Sequence, residues 1–150
     1  MRLRQRADRI LVAVGLGIVA VVGYVIFSLR ECQELWNVRR GSALFRLCGM
    51  GSEPIAAVPV TEPVGEVGYA RRMRDGEKPT VMSVDYASAA SEAAIRGALT
   101  AFLAAKGFAL ARREDRYEWW SDGHGHIGFQ IRAEDGGKNL VDVMHLPDDE

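Results

Sequence analysis

The sequence predicts an α+β protein in which an N-terminal single transmembrane helix precedes a small two-layer domain. That domain has a mostly antiparallel sheet and one main helix. Three observations predict this: an uncharged apolar run at 10–29, a strong helical pattern at about 88–106, and strand-like alternation on both sides of that helix. A repeat of 3.6 residues is typical of an amphipathic helix, and a repeat of two is typical of a half-buried strand.

The apolar run at 10–29 holds 20 residues, of which 13 are Ile, Leu, Val or Phe. As a helix it would be about 30 Å long, the thickness of a bilayer hydrocarbon core. A cleaved signal peptide is the alternative, but its apolar core is normally shorter and ends in a small-residue cleavage site. Arg30 and Glu31 precede Cys32, which disfavours a lipoprotein. We therefore expect an uncleaved signal-anchor.

The distribution of charge predicts the orientation of this anchor. Residues 1–49 carry eight Arg against three acids, a net charge of +5, whereas residues 50–150 carry −6. Four of the arginines lie in the basic tail 1–9, and cytoplasmic flanks are enriched in Arg and Lys. We expect a cytoplasmic N-terminus and an extracytoplasmic C-terminal domain, periplasmic if the source is Gram-negative. An acidic domain would repel phosphate backbones, so no nucleic-acid partner is expected.

Cys32 and Cys48 are the only cysteines, and both follow the apolar run closely. An oxidising compartment would allow them to pair, closing a short loop whose cross-link contributes roughly 3 kcal/mol in the chain-entropy model. Two unrelated thiols are the alternative. The pair is therefore a disulfide candidate.

Between the anchor and the domain, the sequence predicts two connecting segments. Residues 30–50 read as a juxtamembrane helical segment, in which Ser42 caps a second short apolar turn. The apolar side chains of that turn either lie on the membrane surface or dock on the domain: Leu44, Phe45, Leu47 and Met50. Residues 51–64 contain three prolines, which disfavour a helix interior or a central strand, and predict a semi-extended linker, with an edge segment as the alternative.

The soluble domain is predicted at 65–146, followed by an acidic tail at 147–150. Strands are expected at 66–74 and 80–86 before the main helix, and at 108–121, 126–133 and from Leu140 after it. The helix has Ser88 or Ser91 as its N-cap, Gly107 as its C-terminal stop, and one apolar stripe. The stripe consists of Ile95, Leu99, Phe102 and Leu103.

Four polar residues are candidates for metal ligands: Asp122, His124, His126 and His145. Carboxylate and imidazole groups suit zinc or a similar ion. Alternation would place His124 and His126 on one side, and an antiparallel hairpin would bring His145 close. A solvated Gly-rich turn is the simpler interpretation, so no metal is assigned.

Tyr117, Trp119 and Trp120 are the candidates for contact with a partner. Adjacent residues on a strand point to opposite faces, so one tryptophan is expected in the core and the other outside it. An exposed tryptophan can anchor a protein interface, although local packing is the alternative.

No motif indicates catalysis, since the chain lacks G-x-S-x-G, a P-loop, C-x-x-C and H-E-x-x-H. We expect no enzymatic activity, no catalytic residues and no cofactor. The leading hypothesis is a membrane-anchored envelope protein that binds a protein partner, either as an accessory or assembly subunit or as an inhibitor or immunity-like protein. The alternative is a ligand- or metal-sensing domain. A homodimer through small residues of the anchor, Ala13, Gly17 and Ala20, is a further option.

Overall fold

The computed structural model describes residues 14–25, 32, 34–52, 54–73 and 79–147. The chain forms two compact units, Met1–Gln33 and Glu34–Glu150. In the first unit, residues 14–25 are helical and are called α1. Within the described residues, no helix has both the length and the apolar character needed to cross a bilayer. The rest of the predicted span, the basic tail 1–9, Ala13 and the last three acidic residues lie outside the described part of the chain.

The second unit is a seven-stranded sheet in which every neighbouring pair is antiparallel. Its strands are β1 (Glu34–Val38), β2 (Pro63–Arg72), β3 (Val81–Ser88), β4 (Ala109–Glu114), β5 (Tyr117–Ser121), β6 (Gly125–Glu134) and β7 (Lys138–Pro147). Their order across the sheet is β1-β2-β3-β7-β6-β5-β4. Two meanders therefore meet at the β3–β7 pair, and the predicted α+β class with an antiparallel sheet is confirmed.

Helices lie over one face of this sheet. They are α2 (Ala43–Leu47), α3 (Glu92–Ala105) and two 3-10 turns, Met50–Ser52 and Pro54–Ala57. Helix α3 buries three residues of its predicted apolar stripe, Ile95, Leu99 and Leu103, and leaves the fourth, Phe102, half-buried. On the sheet, the cross-strand neighbours Val84, Val143 and Phe129 are each at most 1% exposed. These side chains form the centre of the core.

Both ends of α3 are set by local sequence. The Ser91 side chain accepts a hydrogen bond from the Ala94 N–H at 3.3 Å, which identifies Ser91 as the N-cap. Gly107 has φ +88°, a left-handed conformation that suits glycine at the end of a helix. The Phe108 N–H then donates to the Leu103 carbonyl at 3.0 Å. The predicted cap and stop are confirmed, and α3 crosses from central strand β3 to edge strand β4.

The connecting segments differ from the predicted helix and linker. Residues 34–38 form β1, whose Leu35 and Val38 are buried beside β2. Asn37 has φ +52°, which an α-helix does not accommodate. The 51–64 segment is also not a simple linker, since Ile55 and Val58 are at most 1% exposed and Pro63 begins β2. Tertiary burial outweighs the helical composition of the first segment and the proline content of the second.

Residues 108–121 form two strands where the sequence predicts one. Asp115 and Arg116 make a two-residue turn with φ +50° and +82°, and β4 pairs back on β5. Such hairpin turns normally carry Asn, Asp or Gly first and Gly second, so the Arg at the second position hides the turn signal.

The predicted disulfide is present: Cys32 and Cys48 are bonded to each other, and neither is a free thiol. Cys48 directly follows α2 and is buried. The backbone carbonyl of Cys48 also accepts a hydrogen bond from Arg71 Nη1 at 2.8 Å. Cys48 is therefore hydrogen-bonded to Arg71 of β2 and covalently bonded to Cys32, two residues before β1.

Candidate functional site

The two faces of the sheet have different surroundings. Tyr69, Val84 and Ile127 point to the face that we call the covered face, where the ring of Phe45 in α2 meets Tyr69 edge-on at 5.2 Å. The guanidinium of Arg96 in α3 lies 5.8 Å from the ring centre of Phe129 on that same face. The opposite side, which we call the open face, has no helix over it in the described part of the second unit. Its side chains are the alternate residues of the same strands.

A row of polar side chains crosses the open face. Asp85 of β3 lies opposite Asp142 of β7, and Asp142 lies opposite Gln130 of β6. Gln130 Nε2 donates to Asp142 Oδ2 at 3.1 Å and to the Tyr117 hydroxyl oxygen at 2.6 Å. The Tyr117 hydroxyl in turn donates to Asp142 Oδ2. Four strands are thus linked by one hydrogen-bonded row, which we call the polar row.

Two carboxyl groups facing each other change the acidity of this row. Burial among neighbouring side chains, a hydrogen bond to Asp142 and the charge of Asp142 together raise the pKa of Asp85 from 3.8 to about 7, against a smaller lowering by Arg132. Burial and the bond to Asp142 likewise raise the pKa of Tyr117. The row therefore holds a proton that titrates near neutral pH, although Asp85 keeps part of its surface in water.

Next to the polar row lies a rigid aromatic cluster. The Trp119 ring stacks on Tyr117 with centres 5.5 Å apart and an angle of 26°. The Arg112 guanidinium lies 5.7 Å from the Trp119 ring centre. A Cβ at Gly128 would come within 2.7 Å of the indole, so the ring rests directly on the β6 backbone. We call Tyr117, Trp119 and Arg112 the aromatic cluster.

The two tryptophans point to opposite faces, as the sequence predicts for neighbours on a strand. Trp120 lies opposite Ile127, on the covered face, and its indole nitrogen is buried without a hydrogen-bond partner. Trp119 and Tyr117 share the open face. Of the three predicted contact candidates, two are therefore together on an accessible surface and the third belongs to the core side.

The candidate metal ligands are divided between the faces, contrary to the predicted grouping. His145 is 7% exposed on the covered face opposite Ile127, whereas His126 is on the open face. Asp122 Oδ1 accepts the His124 N–H at 2.8 Å, so that carboxylate is used to form the turn. Among the described residues, no three His, Cys, Asp or Glu side chains are placed to hold a metal ion. Strand alternation therefore separates His126 from His145, although their spacing in the sequence predicts that they lie together.

Three of these residues nevertheless border one cavity of about 520 Å³ on the covered side. Its polar lining comes from Lys106, Asp122, His124 and His145. Phe102 of α3, Phe108, Ile127 and the Pro54–Ala57 turn supply apolar walls. This cavity lies at the C-terminal end of α3, away from the aromatic cluster.

Comparison with protein-family models, curated proteins and solved structures finds no match for this chain. Of the polar row, the sequence singles out Tyr117 alone, and it does not single out Arg112. The available signal is the position of Asp85, Gln130 and Asp142 in otherwise apolar strands, which is uncommon for a face that packs in a core. These three residues become neighbours through the register of β3, β7 and β6, which the sequence does not specify.

Proposed function

We propose that this chain is a single-pass membrane-anchored envelope protein whose extracytoplasmic domain binds another protein through the open face of its sheet. The aromatic cluster is the observation that carries this proposal. Trp, Tyr and Arg are the residues most enriched at energetic hot spots of protein interfaces. Here the indole is held by Tyr117 on the sheet and by the backbone of Gly128, so little side-chain freedom remains to be lost on binding.

The neighbouring polar row indicates the chemistry of the partner surface. Asp142 and Asp85 offer carboxyl oxygens, and the half-buried Gln130 and Tyr117 fix their positions. A matching surface would place an apolar side chain against Trp119 and hydrogen-bond donors against the carboxyl groups. An inhibitor or immunity-like protein and an accessory or assembly subunit both use such a surface.

The anchor and its orientation rest on the sequence. The uncharged run at 10–29 is long enough for a bilayer, and the basic tail 1–9 favours a cytoplasmic N-terminus. The Cys32–Cys48 disulfide supports an oxidising compartment for the domain, since disulfides seldom persist in the cytosol. Alkaline carbonate extraction tests the anchor, and release of the protein into the supernatant would contradict it. Protease treatment of cells whose outer layer is permeabilised and whose cell membrane stays closed tests the orientation, and protection of the domain there would contradict it.

The partner proposal is tested by site-specific photo-crosslinking in cells that express the full chain. One cross-linker replaces Met144 on the open face, and a control replaces Ala101, an exposed residue of α3 on the opposite side. We expect one discrete adduct from position 144 that disappears when Trp119→Ala is added. An equal adduct at position 101, or an adduct at 144 unaffected by Trp119→Ala, would refute use of this face.

A second candidate function is binding of a small ligand in the cavity beside His145. The cavity combines apolar walls with two imidazoles, an ammonium group and the Asp122 carboxylate, and apolar walls with a few polar groups are typical of small-molecule sites. The melting temperature of the detergent-solubilised protein is measured with zinc chloride and separately with benzoate. A rise that His124→Ala removes and His126→Ala retains supports this function, since His124 borders the cavity and His126 is on the open face. No rise with either probe counts against it.

A further inference from the structure

Helix α2 presents two leucines to solvent while its other apolar side chains pack on the sheet. Phe45 is 4% exposed against Tyr69, and Met50 just after the helix is fully buried. Leu44 and Leu47 are 44% and 54% exposed, although they lie one helical turn apart and share a side. The sequence left docking and membrane contact open for all four residues. In the structure, Phe45 and Met50 dock on the domain, whereas Leu44 and Leu47 remain exposed to solvent.

Covalent connections limit how far α2 can lie from a bilayer. Cys48 is the residue after Leu47, and it is bonded to Cys32, which follows Leu29, the end of the predicted span, by three residues. Three extended residues reach at most about 11 Å, and a disulfide joins α-carbons roughly 6 Å apart. The end of α2 is therefore within about 17 Å of the span. The headgroup layer, at roughly 5 to 8 Å per side, takes up a large part of that distance.

The charge around the two leucines suits an anionic lipid surface. Arg46 lies between them in sequence and is exposed, and Arg40 is exposed two residues before the Ser42 cap. Arginine next to exposed leucine is the composition of segments that lie in the membrane interface, where the apolar side chain enters the acyl boundary and the cation contacts phosphate.

We propose that α2 is an interfacial foot: Leu44 and Leu47 insert into the headgroup region of the bilayer that holds the anchor, and Arg40 and Arg46 contact lipid phosphates. This inference rests on the proposed membrane anchor. Its consequence is that the domain is held at the membrane by two attachments, the span and the foot, and does not move freely on a tether.

The test uses full-length protein reconstituted into vesicles of phosphatidylcholine and phosphatidylglycerol that carry a diazirine on one acyl chain near the headgroup. After illumination, mass spectrometry measures lipid adducts on residues 43–49 and on residues 109–112 of β4. Leu110 in β4 provides the internal control, because it is also 44% exposed but lies at the opposite edge of the sheet. We expect adducts on the first peptide and only background on the second.

Two matched variants make the result decisive. Leu44→Glu with Leu47→Glu should lower adducts on the 43–49 peptide by roughly tenfold, the effect of losing about one buried leucine. Leu110→Glu should leave them unchanged. Omission of phosphatidylglycerol should also lower them. Adducts at background in the wild type, or unaffected by the double change, would overturn the foot.

Failure of the foot and failure of the anchor are distinguishable in the same samples. If carbonate leaves the protein in the vesicles but the 43–49 peptide carries no lipid, only the foot is wrong. If carbonate strips the protein from the vesicles, the proposed anchor is wrong and the foot falls with it. If a cross-linker in place of Leu44 forms a protein adduct that Leu47→Glu abolishes, while lipid adducts are absent, the leucines face a protein and the lipid assignment is wrong.

Discussion

Replacing Asp85 by Asn should make the domain more stable at alkaline pH and leave it unchanged at acid pH. Asp85 lies opposite Asp142 on the open face, and burial together with that neighbour raises its pKa from 3.8 to about 7. Because the folded state holds this proton more tightly than the unfolded chain, protonation stabilises the fold. That stabilisation is fully present below about pH 4 and is lost as pH rises through about 7.

The size of the effect follows from the shift. A change of about three pKa units corresponds to roughly 4 kcal/mol, at about 1.4 kcal/mol per unit. Asp85 is exposed, so water screens the repulsion from Asp142, and a discounted value of about 1 to 2 kcal/mol is expected. Asn resembles the protonated side chain at every pH. Asp85→Asn should therefore exceed the wild type by about this amount at pH 8 and match it at pH 4.

The assay is guanidinium unfolding of the detergent-solubilised full chain, followed by tryptophan fluorescence at both pH values. Asp135→Asn serves as the control, because it removes an exposed carboxylate in the β6–β7 turn without a carboxyl neighbour across the sheet. Only the difference in unfolding free energy between variant and wild type is interpreted, because the contributions of the other titrating groups are common to both and cancel. An Asp85→Asn effect that is the same at pH 4 and pH 8 would refute the shared-proton account.

Three further substitutions test packing and backbone strain, each by chemical or thermal unfolding. Arg96→Ala should cost about 2 kcal/mol, because it leaves the carboxylate of Glu118, 8% exposed, without its main cation; an effect below about 0.5 kcal/mol would contradict this. Gly128→Ala should cost about 1 to 3 kcal/mol by displacing Trp119, and should cost much less in a Trp119→Ala background; strict additivity would count against the contact. Arg116→Gly should raise stability by about 1 kcal/mol by relieving φ +82°, and a lower melting temperature would show that the turn is not strained.

The sequence predicts α3 well because its signals are local. Ser91, the apolar stripe and Gly107 each act within a few residues, and the structure places all of them as expected. Segment 34–38 was missed because its strand depends on a distant partner. The side chain of Asn37 packs against Gly68 of β2, so closely that a Cβ added to Gly68 would lie only 2.5 Å from the Asn37 amide oxygen. No local pattern reports such a contact.

The site was predicted only in part, for the same physical reason. Alternation within one strand predicts that Trp119 and Trp120 separate, and it requires no knowledge of neighbours. The Asp85–Asp142 pair depends on the register of β3 against β7, which are far apart in sequence. A shift of one residue would turn Asp142 to the other face. Among the candidate metal ligands, only His126 is separated from the others, because alternation turns it to the open face, whereas Asp122, His124 and His145 border one cavity.

The edges of the sheet provide a separate reason to expect recognition through a face. An open edge strand can add a strand from another chain, and proteins limit this with charges and bulges. Edge strand β4 has an irregular register between Leu110 and Arg112, followed by Arg113 and Glu114, with Arg112 and Glu114 paired at 3.3 Å.

The other edge strand, β1, is only five residues long and also has an irregular register, near the positive φ of Asn37. Both edges therefore oppose pairing with another strand. The open face has no such protection, since it presents a rigid indole next to a hydrogen-bonded carboxyl row. The proposed partner places hydrogen-bond donors against the carboxyl groups and so favours the charged form of Asp85, which means that binding through this face should weaken as pH falls from 8 to 6. Binding that is independent of pH would place the partner elsewhere on the domain.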